Sequence, residues 1–226
     1  LNKLSEFSRS AKTTPAAVEF VDIAGLVKGA SQGAGLGNQF LSHIREVDAI
    51  AHVVRVFKDA GVAHVENRID PLTDAEIINS ELKLADEQSV TRRGERAKKD
   101  KNLPPLHLLG EKPMLYVLNV SSAGENVIGE LKQKLSGQVV EIDPIFETGL
   151  DDLIKASYKL LGLITFFTTG RDESRAWTIK IGSTAPEAGA AIHSDFRDRF
   201  IRAEVINWQT LLDAGSYATA RERGLL

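Results

Sequence analysis

Apolar runs alternate with amphipathic segments along the first two thirds of the chain. Near-continuous apolar runs, which are typical of strands covered on both faces of a parallel sheet, predict strands at 16–22, 49–54 and 114–118, with a fourth at 138–142. Apolar residues at helical spacing predict helices at 39–47, 71–85, 127–135 and 151–161. Because strand, loop and helix alternate, the pattern predicts an α/β fold with a mostly parallel sheet.

The pattern changes after Gly162. Clusters of β-forming residues at Leu163–Thr168 and Arg175–Lys180 predict a hairpin, and Thr184 with a following proline predicts a capped helix start. A further strand is predicted at Phe200–Val205. We therefore predict two domains, a larger α/β domain over 1–162 and a small α+β domain of the β-grasp kind over 163–226.

Charged residues dominate residues 86–101, where apolar side chains nearly vanish. A solvated extension of the preceding helix is the simplest interpretation, and an arm that contacts a large partner is the functional one. The abrupt change of character at 90–104, and again at Ile142–Pro144, predicts that segments are absent from the chain at these places.

Composition excludes several classes of function. The formal net charge is −3, so no overall positive field draws the chain to nucleic acid, although a local basic face remains open. The chain has no cysteine, which excludes disulfides and thiolate chemistry, and its five histidines are too scattered for a zinc site. We find no run long enough for a membrane span and no signal peptide.

The most informative stretch is Phe20–Leu26, predicted to be a strand that ends on Asp22 and turns at Gly25. In phosphate-handling α/β domains, an aspartate at such a strand end holds Mg²⁺, usually through water. A glycine there lets its N–H approach a terminal phosphate. The four-residue spacing alone fits an ordinary turn equally well, but the glycine-rich residues 28–37 that follow favour the phosphate interpretation.

Two further positions bear on a nucleotide site. Asn119 ends a predicted strand about a hundred residues after Asp22, where GTPases place the asparagine that reads the base, although a plain turn residue fits too. Leu26 follows Gly25, where Ras-like GTPases carry the glutamine that orients the attacking water. A leucine cannot orient water, so catalysis would need the backbone, a cation or a partner.

Basic and aromatic residues are interleaved in the second domain. These residues could contact RNA or could form a small core with charged edges: Lys180, Arg197, Arg199, Arg202, Trp177, Phe196, Phe200 and Trp208. The ordinary core is the simpler account for the aromatic residues, and the arginines stay open.

Several of these segments resemble a known family. Val18–Ala30 resembles the switch II segment of the Obg-related nucleotide hydrolases, and the continuation through Gly33–Asn38 and Ile44–Ile50 narrows the resemblance to the YchF branch, the Obg-like ATPases. Further stretches that resemble this branch are 65–71, 76–79, 161–168 and 175–206.

The resemblance implies a G domain over 1–162 with a helical coiled-coil insertion at about 80–106, and a TGS domain over 163–226. It implies that ATP is preferred over GTP and that Mg²⁺ is the cofactor. It also implies a cytoplasmic monomer that binds no membrane. The implied partners are the ribosome, as the large subunit or the whole particle, and RNA. The implied nucleotide-binding residues are Asp22, Ile23, Ala24, Gly25, Leu26, Asn119 and Val120, with Asp22 as the Mg²⁺ ligand and Leu26 as the hydrophobic replacement of the catalytic glutamine.

The chain departs from the family pattern at two points. Ser122 stands at the fourth position of the base-specificity motif, where the family has glutamate, and the phosphate loop is not found among these residues. In the family that loop precedes the position of Leu1. We therefore expect an ATP-hydrolysing switch, and two alternatives stay open: a GTPase of the broader Obg class, and a ribosome- or RNA-binding adaptor without catalysis.

Overall fold

The computed structural model describes residues 1–23, 36–57, 69–98, 100, 102–120 and 125–226. Within this part of the chain the helices are, in order, α1 (Asn2–Ser8), α2 (Leu36–Glu46), α3 (Pro71–Ala97), α4 (Glu125–Lys134), α5 (Leu150–Leu160), α6 (Ala185–Ile192), α7 (Ser194–Asp198), α8 (Trp208–Ala214) and α9 (Tyr217–Glu222). The strands are β1 (Lys12–Thr14), β2 (Ile50–Arg55), β3 (Met114–Asn119), β4 (Gln138–Ile142), β5 (Leu163–Thr169) and β6 (Glu173–Lys180).

The chain forms two compact units. One contains Phe20–Leu161, and the other combines Leu1–Glu19 with Gly162–Leu226. The predicted division after residue 162 thus differs from the structure at the N-terminus, where the first 19 residues group with the C-terminal segment.

The Phe20–Leu161 unit is built on a parallel sheet in the order β2-β3-β4. On one face Tyr116 and Leu118 of β3 pack with Val54 and with Leu131 of α4. On the other face the alternate residues of β3 pack with Ala156 of α5. Because β3 is covered on both faces, its apolar run is continuous, and the predicted α/β fold with a mostly parallel sheet is confirmed.

The long helix α3 begins where the sequence supplies a cap. The side chain of Asp70 accepts a hydrogen bond from the N–H of Thr73 at 3.2 Å, and Pro71 occupies the first turn. Leu82 and Ala85 are buried on one face, and the helix continues through the charged residues to Ala97. The predicted helical extension is therefore confirmed as far as residue 97.

Side chains of α3 hold the segment that leads from this helix to β3. The buried carboxylate of Asp86 accepts hydrogen bonds from the N–H groups of Leu109 at 2.7 Å and Gly110 at 2.8 Å. Nearer the end of the helix, the guanidinium of Arg93 donates to the carbonyls of Leu103 and Pro104. These contacts fix residues 103–110 beside α3 and so place the start of β3.

The second unit contains the sheet β1-β6-β5. The predicted hairpin is confirmed, since β5 and β6 are antiparallel, and the predicted helix start carries a full capping box between Thr184 and Glu187. The strand β1 runs parallel to β6, and Leu4 of α1 is buried with residues of α8 and α9. These contacts explain why the first 19 residues belong to this unit.

Two predicted strands are wrong. Residues 16–22 form no strand, and Phe20 and Val21, expected to be buried, are 50% and 61% exposed. Residues 200–205 also lack strand structure. A strand needs a neighbour to pair its backbone groups, and among the described residues neither segment has one. No helix in the described ranges is both long and apolar enough to cross a membrane.

Candidate functional site

The candidate site lies at the carboxyl edge of the parallel sheet. Because the strands are parallel, β2, β3 and β4 all end at this edge, which is where ligands bind in open α/β sheets. The strand ends are joined by two backbone hydrogen bonds: Val56 N–H donates to the Asn119 carbonyl at 3.0 Å, and Val120 N–H donates to the Ile142 carbonyl at 2.9 Å. The three ends therefore form one connected rim.

Asn119 is the predicted residue that this rim places most clearly. Its Oδ1 is buried and has no hydrogen-bond partner among the residues that the structure describes. A buried acceptor left unpaired costs about 1–3 kcal/mol, so it fits a ligand that brings a donor, such as the amino or ring N–H edge of a purine. Val120 follows it and packs against the hydrophobic core beneath the rim.

The predicted metal and phosphate residues are only partly described. Asp22 is exposed to solvent, so its carboxylate is accessible to a hydrated cation. Ile23 packs against the cluster formed by Leu41, Ile44 and Leu82, which ties this part of the chain to α2 and α3. Ala24, Gly25, Leu26 and Ser122 lie outside the described residues.

Within the described ranges, no group of three or more His, Asp or Glu side chains is gathered around a common point. A protein cage for a cation is therefore not found there. Mg²⁺ beside a nucleotide does not need one, because it keeps several waters and uses one or two carboxylates together with the phosphates.

A closed loop, Asp143–Thr148, follows β4 at the same edge. The buried carboxylate of Asp143 accepts hydrogen bonds from the N–H groups of Ile145 at 2.9 Å and Phe146 at 3.2 Å. Asp143 and Thr148 also exchange two backbone hydrogen bonds of 3.1 Å, and Glu147 adopts a left-handed conformation with φ 54°. This backbone leaves Ile145 and Phe146 each 72% exposed at the loop tip.

Gly149 closes the loop against β4. Its φ is 80°, and a Cβ at this position would lie 2.0 Å from the Glu141 carbonyl oxygen, so only glycine fits. Sequence reasoning missed this loop, having interpreted Ile142–Pro144 as a place where a segment is absent. The signals that could have found it are the Asp-Pro start and the glycine six residues after the aspartate.

A groove of about 640 Å³ runs from Val120 along the outer side of β4. Its lining includes Lys132, which forms an ion pair with Glu141, and Lys155, which forms one with Asp152 at 3.4 Å. Because these charges are paired and each side chain is more than a third exposed, they contribute little net field to the groove.

A buried histidine lies on β2 beneath the rim. The His52 ring is 5.4 Å from the ring of Tyr116, its cross-strand neighbour, and its Nδ1 has no hydrogen-bond partner within the described ranges. The Tyr116 hydroxyl in turn accepts a hydrogen bond from the Asn79 amide at 2.9 Å. Burial lowers the pKa of His52 to about 4, so the ring is neutral at pH 7 and acts as a packing group.

The interleaved basic and aromatic residues of the second unit differ in their exposure to solvent. Trp177 is partly buried in the hairpin, with the Arg175 guanidinium 4.0 Å from its ring and its indole N–H donating to Thr168. Phe196 and Trp208 are exposed, and so are the following arginines: Arg197, Arg199 and Arg202.

Two family models match the chain. One is described as a 50S ribosome-binding GTPase and matches residues 5–119. The other, YchF-GTPase_C, is described as a protein of unknown function (DUF933) and matches residues 163–226.

The chain is also similar to several curated and solved proteins. The ribosome-binding ATPase YchF of Bacillus subtilis (strain 168) is 43% identical, over 99% of this chain and 80% of the relative. The protein of the same name from Haemophilus influenzae is 37% identical over the same shares. The solved structure of the Schizosaccharomyces pombe YchF GTPase matches with a TM-score of 0.79 and 29% identity, covering 100% of this chain and 80% of that one.

The length of these matches bears on the interior of the chain. The match to the Bacillus subtilis protein spans 293 residues, whereas this chain has 226, so at least 67 positions within the match have no counterpart here. This agrees with the prediction that internal segments are absent.

Proposed function

Since the chain belongs to the YchF family of G-domain proteins, we propose that it is a Mg²⁺-dependent ATP hydrolase that works as a ribosome-linked switch in the cytoplasm. The observation that carries the proposal is the rim at the carboxyl ends of β2, β3 and β4. There Asn119 presents a buried acceptor that no described residue pairs, at the same edge as the loop that follows β4.

Each predicted residue has a distinct role in this proposal. Asn119 holds the edge of the base, and Asp22 holds Mg²⁺ through water. The ion neutralises charge on the β- and γ-phosphates when it is bound. Gly25 offers its backbone N–H to the terminal phosphate. Leu26 has an apolar side chain where Ras-like GTPases carry glutamine, so the attacking water must be oriented by the backbone, a cation or a partner.

The switch role is assigned to residues 25–37, of which 25–35 lie outside the described ranges. In nucleotide switches a loop is ordered by the γ-phosphate and its metal and is released on hydrolysis. The glycines in this stretch favour such a role. The C-terminal segment, which we propose to be a TGS domain, would link the nucleotide state to the partner.

The test of the hydrolase is Asp22→Asn in the full chain. The amide cannot supply the negative charge that holds hydrated Mg²⁺, so we expect ATP turnover to fall by about 100-fold or more. Asp48→Asn is a matched control, because Asp48 is also an exposed aspartate of the same unit. Normal ATP turnover by the Asp22→Asn protein would refute the role given to Asp22.

A GTPase is the second candidate. Two observations favour it: Ser122 replaces the glutamate of the base-specificity motif, and the model matching residues 5–119 is described as a GTPase. Competition between ATP and GTP for the same site, measured by titration, separates the two. Tighter binding of GTP would replace ATP in the proposal and leave the site in place.

The partner we propose is the ribosome, as the large subunit or the whole particle. The exposed arginines would contact its RNA, and the chain would act as a monomer. The names of the relatives, ribosome-binding ATPases, support the ribosome as the partner. Co-sedimentation with ribosomes in the presence of ATP, ADP or no nucleotide is the test. Association that ignores the nucleotide would favour the adaptor alternative over a switch.

A further inference from the structure

The loop Asp143–Thr148 holds two large apolar side chains in solvent. Ile145 and Phe146 are adjacent, and each is 72% exposed. A flexible loop could fold such side chains back onto the protein, but this backbone is held by the Asp143 carboxylate, by the Asp143–Thr148 bridge and by the close approach of Gly149 to Glu141. Side chains that are exposed and preorganised in this way are typical of binding elements.

The position of the loop indicates what it binds. Ile142, the last residue of β4, is the register partner of Asn119, and its carbonyl accepts the Val120 N–H at 2.9 Å. Ile145 and Phe146 follow Ile142 by three and four residues. The Oδ1 of Asn119, which no described residue pairs, lies at the end of β3, and the apolar tip comes directly after β4, so both belong to the same edge of the sheet.

A purine base needs both kinds of contact. Its edge carries donors and acceptors, and its faces are flat and weakly hydrated, so they stack well on aromatic side chains. We propose that Phe146, supported by Ile145, forms the surface on which the base of the bound nucleotide stacks, while Asn119 contacts the base edge. This inference rests on the proposed nucleotide site and adds two residues to it.

The chemistry of stacking separates the roles of the two contacts. Every base has a π-face, so an aromatic platform contributes affinity without distinguishing adenine from guanine. Discrimination between them requires hydrogen bonds to the edge, which Phe146 and Ile145 cannot make. Loss of the platform should therefore weaken ATP and GTP alike.

The test compares three ligands on the full chain: ATP, GTP and ribose 5′-triphosphate, which keeps the phosphates and lacks the base. For Phe146→Ala we expect the Kd of ATP and of GTP to rise by about 5- to 100-fold, the usual effect of removing one stacked aromatic residue. The Kd of ribose 5′-triphosphate should not change. Phe146→Trp, which keeps a stacking surface, should bind ATP nearly as well as the unchanged protein.

Phe196→Ala serves as the matched control, because it removes an exposed phenylalanine, 52% accessible, from the other unit. If ATP binds normally and Phe146→Ala leaves its Kd unchanged, the stacking role is wrong and the proposed function stands. The same conclusion holds if the variant loses only ribosome association, which would make the tip a protein or RNA contact. If full-length protein that carries the family's phosphate loop binds none of the three ligands, the proposed function fails and the platform fails with it.

Discussion

The buried imidazole of His52 should make the stability of the Phe20–Leu161 unit depend on pH. Burial lowers the pKa of this group from 6.5 to about 4, and none of the described residues forms a hydrogen bond to Nδ1. The neutral ring packs beside Tyr116, its neighbour on the adjacent strand β3. Protonation would place a charge there without a partner, which the fold disfavours.

The magnitude follows from the difference between the two pKa values. In the unfolded chain the imidazole has its ordinary pKa of about 6.5. Between pH 6.5 and pH 4 the unfolded state therefore binds a proton that the folded state does not, so the free energy of unfolding decreases as the pH falls. At 1.36 kcal/mol per pKa unit, about 3 kcal/mol is lost by pH 4, and the full stability is present above pH 6.5.

His52→Phe is the variant that tests this, because phenylalanine keeps a ring beside Tyr116 and cannot titrate. We expect urea unfolding to show that the unchanged protein loses about 2–3 kcal/mol more than the variant between pH 7 and pH 4.5. The reasoning is refuted if the His52 ring protons titrate near pH 6.5 in the folded protein, as followed by NMR.

Two further predictions concern close contacts of the backbone. Asp86→Ala should lower the free energy of unfolding by about 2–4 kcal/mol because two main-chain N–H groups lose their acceptor. Asp86→Asn keeps one acceptor oxygen and should lower the free energy of unfolding by less. Urea unfolding that shows the same decrease for both variants would contradict this. Gly149→Ala should destabilise by about 3 kcal/mol or more, because the new Cβ would lie 2.0 Å from the Glu141 carbonyl oxygen. By contrast, Gly94→Ala in α3 adds a Cβ with nothing within 4 Å and should stabilise the protein by about 0.5–1 kcal/mol. Thermal unfolding in which the Gly149→Ala and Gly94→Ala variants have the same stability would be inconsistent with the structure.

The elements that sequence patterns predicted correctly are those with a local cause. The strand β3 is continuously apolar because both of its faces are covered, and this burial is visible in its composition alone. The helices α3 and α6 follow the cap residues Asp70 and Thr184. The Asp70 side chain accepts a hydrogen bond from the Thr73 N–H, and the Glu187 carboxylate accepts one from the Thr184 N–H, so each helix start is fixed within three residues. In each case the decisive interaction spans a short stretch of chain.

The elements that were missed depend on distant partners. The polar strand β1 has no strand-like composition, and it forms because its backbone pairs with β6, about 160 residues away. Conversely, Phe20–Asp22 has the composition of a buried strand and is not one, since the described residues provide no neighbouring strand to pair with it. Backbone pairing across the chain decides these cases, and local composition does not record it.

The same distinction applies to the candidate site. Asn119 could be predicted because a polar residue directly after an apolar run marks a strand end, and parallel strands bring their ends to one edge. The loop after β4 could not, because its shape depends on the Asp143 carboxylate folding back on its own backbone and on Gly149 meeting Glu141. A family pattern gives no guide there either, since the residues of a loop can change while the strand that carries it stays the same. Contacts such as the proposed base platform therefore have to be sought in the geometry of loops at the rim, starting from the strand-end residues that sequence identifies.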